Sequence, residues 1–184
     1  MNWLKTLIIK TLVSRTNKNL NVANYRNGDP ITYAANATQW VAANTAGVGA
    51  YTYLKFASGD GGATYGKLYN GFAVNDSRNI CPVGFRIPTR ADFNTLNSFL
   101  GANAGGKLKE AGLSHWASPN TGATNSSGFT GLSDGFCWYY GSFGGMGLYA
   151  NWWSSTLHTN VTTNTESVWI RHLDHDNAAV TKND

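Results

Sequence analysis

The sequence predicts an α+β domain in which helices occupy the part before Gly101 and short strands joined by long, aromatic-rich loops occupy the rest. Three observations predict it. Two segments, one across Tyr65 to Val74 and one after Thr89, place apolar residues at helical spacing. The composition is 13% charged and 13% aromatic with 21 Gly and 7 Trp, which leaves few residues for helical ion pairs and many for turns. From Gly101 onward Gly, Asn, Ser, Thr and aromatic residues replace any helical period.

Taken in order, residues 1–18 read as an amphipathic leader, with Leu4, Leu7, Ile8 and Leu12 on one face of a short helix. A secretory signal fits poorly, because Lys10 interrupts the apolar run and no small-x-small cleavage site follows. The leader is expected to pack on its own domain or to dock on a partner, and the domain proper is expected to span residues 19–184. Asn27-Gly28 and Asp29-Pro30 mark a turn. Asn36 caps a short helix over Ala37 to Ala43, and Tyr51 and Tyr53 alternate with smaller or polar residues in a half-buried strand over Ala50 to Phe56. The next helix, Tyr65 to Val74, is expected to turn Leu68, Tyr69, Phe72 and Ala73 inward. A second is better marked: Pro88 ends an extended segment, Thr89 caps, Asp92 completes a capping box, and Phe93, Leu96, Phe99 and Leu100 form the buried stripe.

Loops as long as those after Gly101 are functional or disordered in most compact domains, and their tryptophans argue against disorder. Trp116, Trp138, Trp152, Trp153 and Trp169 are expected to pin them to the core, with late strands around Leu148 to Ser154 and Val168 to Leu173.

One domain is the default for 184 residues. The net charge of +4 is carried by scattered basic residues without a dense stripe, so nucleic-acid binding is not expected. No segment is apolar over a length that spans a bilayer. Cys81 and Cys137 are too far apart for a CxxC motif and too few for a disulfide scaffold; whether they pair is open.

The blocks YGKLYNGFAVN, CPVGFRIPTRADFNTL, GGKLKEAG, HWASPNTGATNSSGFTGL, NWWSST and VWIRHL, in this order and spacing, resemble the Fibrobacter succinogenes major paralogous domain family. The resemblance runs from about Asn19 to the C-terminus. It implies a C-type-lectin-like fold related to the formylglycine-generating-enzyme group, with two main helices and a small mixed or antiparallel sheet carrying a long loop region. Members usually finish with a strand resembling GFSVRCVRD, whereas this chain stops at TKND. The expectation is therefore a domain without its usual last strand, either because the sequence is truncated or because another segment or chain fills the slot. The family's N-terminal strand-like segment also has no close counterpart, and Thr11 to Thr16 stands in its place.

Chemistry is not expected. The catalytic branch of the related group uses closely spaced paired cysteines, which Cys81 and Cys137 do not reproduce. The run HLDHD resembles a metal site, yet strand alternation puts His172, Asp174 and Asp176 on one face and His175 on the other. Three ligands in a line rarely close a coordination shell, so neither a metal nor another cofactor is predicted. The Glu-Pro-Asn and Trp-Asn-Asp arrangements of calcium-dependent C-type lectins are absent from the sequence, and NWWSST offers no paired carboxylates. A serine nucleophile there lacks a local base.

Some relatives with this fold are variable proteins of diversity-generating retroelements. HLDHDNAAVT is built largely from residues that an AAC codon reaches by changes at its adenines, as such diversification predicts. Long loops carrying Tyr, Trp, Asn and Ser have the composition of a paratope. Candidate contacts are Tyr139, Tyr140, Tyr149, Asn151, His158, Asn160, His172, Asp174, His175 and Asn177. The functional expectation is a non-enzymatic bacteriophage virion component, such as a tail, fibre or capsid decoration, recognising a bacterial surface protein or glycan. Its leader would dock on other virion proteins or on its own copies. A bacterial envelope or secreted adhesin is the alternative, and a diverged enzyme on the same scaffold a third.

Overall fold

Strand alternation sends neighbouring side chains to opposite faces, and here it sends Trp152 and Trp153 into two different cores. The computed structural model describes residues 2–3, 9–10, 14–15, 19–57, 59, 61–160 and 165–183, with side chains from 19–57, 59, 61–157 and 168–181. Three two-residue strands, β1 (Asn2–Trp3), β2 (Ile9–Lys10) and β3 (Ser14–Arg15), precede β4 (Thr32–Tyr33), helix α1 (Ala37–Thr45), β5 (Ala50–Thr52) and β6 (Leu68–Tyr69). Helices α2 (Gly71–Val74), α3 (Arg90–Leu100) and α4 (Ala104–Leu108) follow. The chain then forms the hairpin β7 (Asp134–Trp138) and β8 (Phe143–Met146), the ribbon β9 (Tyr149–Asn160) and β10 (Thr165–Asp174), and β11 (Thr181–Asn183).

The result is a mixed α+β architecture of small sheets. Strand orders are β1-β7-β8, β11-β10-β9 and β4-β5-β6, and β2 pairs with β3. Only the β4–β5 pairing is parallel among the described strand pairs. In the ribbon Tyr149 lies opposite Asp174, Asn151 opposite His172 and Trp153 opposite Ile170, with a register shift between Val168 and Ile170.

One face of the ribbon carries Trp153 into a core with Leu20, Trp40, Tyr51, Leu68, Tyr69, Ile80 and Cys137. The other face carries Ala150, Trp152 and Leu173 against Phe93, Leu108, Trp116 and Phe129. Every one of the large buried indoles satisfies its N–H, as a buried donor must: Trp40 to the Trp138 carbonyl at 3.0 Å, Trp116 to Gly131 at 2.8 Å, Trp152 to Asn19 Oδ1 at 3.1 Å and Trp153 to Tyr69 at 3.0 Å.

Local signals explain the helix starts. Asn36 accepts the Gln39 N–H at 3.0 Å, and α1 runs over the expected residues and two more. Thr89 accepts the Asp92 N–H at 3.1 Å while the Asp92 carboxylate accepts the Thr89 N–H at 2.6 Å, so the capping box is complete. The turn at 25–29 closes with Tyr25 N–H on the Asp29 carbonyl at 2.8 Å. Arg26 then reaches across the chain and donates to the carbonyls of Cys81, Pro82 and Phe85, fixing the CPVGF turn.

Other expectations are corrected. The helix expected over Tyr65 to Val74 is a strand at Leu68–Tyr69 and one helical turn at Gly71–Val74. Asn70 is the reason: its buried side-chain oxygen accepts the N–H groups of Ala50 and Ala73, both at 2.9 Å, and its amide donates to the Val48 carbonyl at 2.8 Å. That clamp pulls Leu68 and Tyr69 onto β5 and leaves Phe72 42% exposed. The strand expected to Phe56 stops at Thr52, and a 3-10 turn follows at Leu54–Phe56. On α3, Phe93 is buried and Leu96 and Leu100 pack on the second core, but Phe99 is 86% exposed. Trp138 and Trp169 are half-buried; Trp169 supports the Arg90 guanidinium at 3.9 Å from its ring centre. The leader residues Leu4, Leu7, Ile8 and Leu12 lie outside the described residues, but Ile9–Lys10 within the expected helix is strand paired with Ser14–Arg15, and Asn2 and Trp3 pair with Trp138 and Cys137.

Cys81 and Cys137 are both free thiols inside the first core, where burial pushes each up to about 12. At neutral pH they are protonated and behave as small apolar side chains. Ser155 donates weakly to the Ile87 and Pro88 carbonyls, and Ser154 accepts the Thr156 N–H at 2.9 Å, so both serines hold backbone.

Candidate functional site

At the rim of the first core, five aromatic rings follow one another across two sheets. The Tyr140 ring lies parallel to Trp138 at 5.8 Å and 7°, and Trp138 meets Phe136 edge-on at 4.8 Å. Phe136 stacks on Tyr149 at 6.4 Å, and Tyr149 tilts over His172 at 5.0 Å. Tyr139 adds an edge contact to Tyr140 at 5.1 Å. Alternation along β7 puts Phe136 and Trp138 on one side, and the ribbon register brings Tyr149, Asn151, His172 and Asp174 to the adjoining face.

Glycine makes this close packing possible at two points. A Cβ on Gly145 would stand 2.4 Å from the Tyr149 ring, and Gly145 sits at φ +70°, where L side chains are strained. The Tyr139–Tyr140 turn is seated by Gly141, whose missing side chain lets the backbone rest on Ala37 of α1 at φ +82°. The stripe therefore stands on fixed backbone at both ends.

Its polar end is a hydrogen-bonded group. His172 Nε2 lies 3.0 Å from Asp174 Oδ1, and His172 Nδ1 lies 2.5 Å from Asn151 Oδ1. Thr181 Oγ1 donates to Asp174 Oδ2 at 3.2 Å. Below the following turn, Lys109 is completely buried; its ammonium donates to the carbonyls of Asp174 at 2.7 Å and Asn177 at 3.0 Å and lies over the Trp116 ring at 5.3 Å. Burial lowers the Lys109 pKa from the ordinary lysine value, since desolvation disfavours the charged form. His175 donates from Nδ1 to the Ser118 carbonyl at 3.1 Å, and its own carbonyl accepts the Thr121 N–H at 2.7 Å. Asn177 Oδ1 accepts the Ala179 N–H at 2.9 Å.

The candidate residues thus separate into groups. Tyr139 and Tyr140 are each 51% exposed, and Tyr149 joins them through the stripe. Asn151 is 2% and His172 9% exposed, so these two orient neighbours instead of offering surface, while the Asp174 side chain keeps 18% of its own. His175 and Asn177 fasten the turn after β10. His158 and Asn160 stand opposite Ser167 and Thr165 in the ribbon, and their side chains lie outside the described ones. Asp176 falls in the turn beyond the end of β10, so it does not share the strand face of His172 and Asp174. Among the described residues no group of three or more His, Cys, Asp or Glu side chains is placed to hold a metal, and no helix is long and apolar enough to cross a membrane.

Sequence reasoning missed Phe136 as a member of the stripe and Lys109 as its anchor. Phe136 had a signal in the alternation of DGFCW. Lys109 had none, because a lysine in KLKE reads as solvated.

A comparison with family models matches the Fibrobacter succinogenes major domain over residues 16–183. Comparisons with curated proteins and with solved structures return no match. With the match covering nearly the whole chain, and the blocks that carry it forming the capped helix, the Lys109 anchor and the ribbon, the chain belongs to the Fibrobacter succinogenes major domain family.

Proposed function

We propose that this chain is a non-enzymatic display domain of C-type-lectin-like fold that binds a protein or glycan on a bacterial surface through the stripe from Tyr140 to His172. The observation that carries the reading is an open row of rings held on rigid backbone, with two tyrosines half exposed at one end and a hydrogen-bonded carboxylate at the other. Tyrosine and tryptophan supply contact area at low entropic cost, which suits recognition. The lectin-like assignment is supported by two capped helices packed beside small, mostly antiparallel sheets and by the long irregular segment 110–133 that precedes the display hairpin. Buried protonated thiols, and a histidine whose two ring nitrogens both face neighbouring oxygens, fit binding better than covalent catalysis.

The biological setting we propose is a bacteriophage virion, with the protein as a tail, fibre or capsid decoration and the leader docking it to other virion proteins or to its own copies. Diversification of 172–181 would vary the polar end of the stripe, His172 included, while Tyr140, Trp138, Phe136 and Tyr149 stay constant. Binding of the purified protein to bacterial cells, compared with a Tyr139→Ala/Tyr140→Ala variant, tests the binding face; equal binding by both removes it. Detection in purified particles tests the setting. A protein found only in the soluble host fraction is not a virion component, and one found on the bacterial envelope is an adhesin.

A further inference from the structure

The size and chemistry of the stripe select among ligands, and on the reading above that this face binds, we infer that its ligand is a neutral saccharide, held without a metal ion. A stable protein–protein interface covers about 800 Å² on each partner, whereas an aromatic side chain buries about 150–250 Å² in all. Tyr139 and Tyr140 keep about half their surface, and Phe136, Trp138 and Tyr149 are only partly exposed. The stripe therefore offers at most roughly 500 Å², which a few sugar rings would cover fully and a folded protein would have to extend well beyond.

Its geometry fits the same class. The Trp138 and Tyr140 rings stack on each other within 7° of parallel, so the surface the pair offers to the C–H face of a pyranose is the exposed half of Tyr140, backed by Trp138. Asp174 spends one oxygen on His172 and the other on Thr181, and each carboxylate oxygen still has acceptor capacity toward hydroxyl groups. Asn151 and Thr181 hold His172 and Asp174 in that orientation. A carboxylate acceptor at the polar end favours hydroxyl donors over anionic sugars. The stripe and this cluster together make a platform and a clamp for one short run of a neutral polysaccharide.

The test uses bacterial cells that bind the purified protein, divided into periodate-treated, protease-treated and untreated samples, followed by titration with neutral glucan, mannan and N-acetylhexosamine oligomers read by tryptophan fluorescence. Loss of binding after periodate, with one oligomer series binding and Tyr140→Ala weakening it about tenfold, is the expected result. Tyr140 is exposed, so that variant keeps the fold. Trp138→Ala, read alongside it, should weaken the same oligomer further. Addition of EDTA should change nothing. Binding that survives periodate and is lost to protease overturns the saccharide while leaving the binding reading in place. Oligomer binding that ignores Tyr140→Ala overturns the site. A protein that binds no cells in any sample overturns the binding reading itself.

Discussion

The two faces of the β9–β10 ribbon solve the same problem in different proportions. On the Trp153 face, burial is mostly apolar and aromatic; Asn70 ties short strands to a helix turn, and Arg26 and Lys67 hold loop carbonyls at its edge. On the Trp152 face the core is smaller and rests on loops, which side chains must fasten to buried carbonyls. Asn120 donates to the carbonyls of Glu110 at 3.0 Å and Gly112 at 2.7 Å, Ser127 to Lys107 at 2.7 Å, and Lys109 to Asp174 and Asn177. That face also buries Arg171, at 4% exposure. Its guanidinium lies over the Phe93 ring at 5.2 Å and donates to Asn94 at 3.1 Å, with burial and the neighbouring Arg90 lowering its pKa. Both cores use long side chains to satisfy loop carbonyls, and the second, with more loop around it, uses a fully buried lysine to do so.

The largest expected effects test whether both cores are needed. Trp153→Ala and Trp152→Ala should each cost about 3–5 kcal/mol in denaturant unfolding, the range for emptying a large aromatic site. A Trp152→Ala cost below about 1 kcal/mol would show the loop-built core to be dispensable.

Lys109→Met separates the anchoring from the packing. It keeps much of the apolar stem but leaves the Asp174 and Asn177 carbonyls without their donor, for an expected loss of about 2–3 kcal/mol. The same variant should weaken ligand binding at the stripe, since the turn it holds follows directly on Asp174. Unchanged stability would mean that the turn holds itself.

The helix start gives a smaller effect with a pH signature. Thr89→Ala should cost about 1 kcal/mol. The Arg86 guanidinium beside Asp92 holds its carboxyl well below the usual carboxylate range, and Arg78 beside Asp76 lowers that carboxyl to about 2. Both folded values lie below the unfolded one, so the stability they contribute is complete above the ordinary carboxylate pKa near ~4 and is lost as pH falls through the folded values. Unfolding followed from about pH 6 to 2 should therefore show stability falling with pH. Asp92→Asn and Asp76→Asn should each flatten that slope by the share of the carboxyl removed.

The smallest expected change belongs to Arg171. A buried guanidinium whose side-chain acceptor among the described residues is the neutral Asn94 recovers little of its desolvation cost, so Arg171→Met should leave stability within about 1 kcal/mol of the parent or raise it. A loss of several kcal/mol would show that the second core depends on the charge.

What was legible in the sequence was local. Thr89 and Asp92 lie three residues apart and make their bonds to each other, so the start of α3 could be read directly. The same holds for Asn36 above α1 and for the turn at Asn27-Gly28. The Tyr65 to Val74 segment misled because its helical spacing is real, while the Asn70 clamp that overrides it draws on Asn44, Val48 and Ala50. Likewise Tyr139, Tyr140 and Tyr149 could be picked out as candidate contacts by residue type. That Asn151 is buried, and that Lys109 stands beneath the site, depends on segments far from them in the chain.

The sequence by itself determined the α+β class, the capped helices, the alternating ribbon and the absence of close cysteine pairing, because each follows from groups a few residues apart. Only the tertiary structure decided which tryptophan enters which core and which rings form the stripe. Those choices are made by bonds such as Trp152 to Asn19, Trp40 to Trp138 and Lys109 to Asp174, which span 133, 98 and 65 residues. A one-dimensional pattern specifies which faces are apolar. The partner that covers each face is fixed when the chain closes and buried donors find the acceptors that remain.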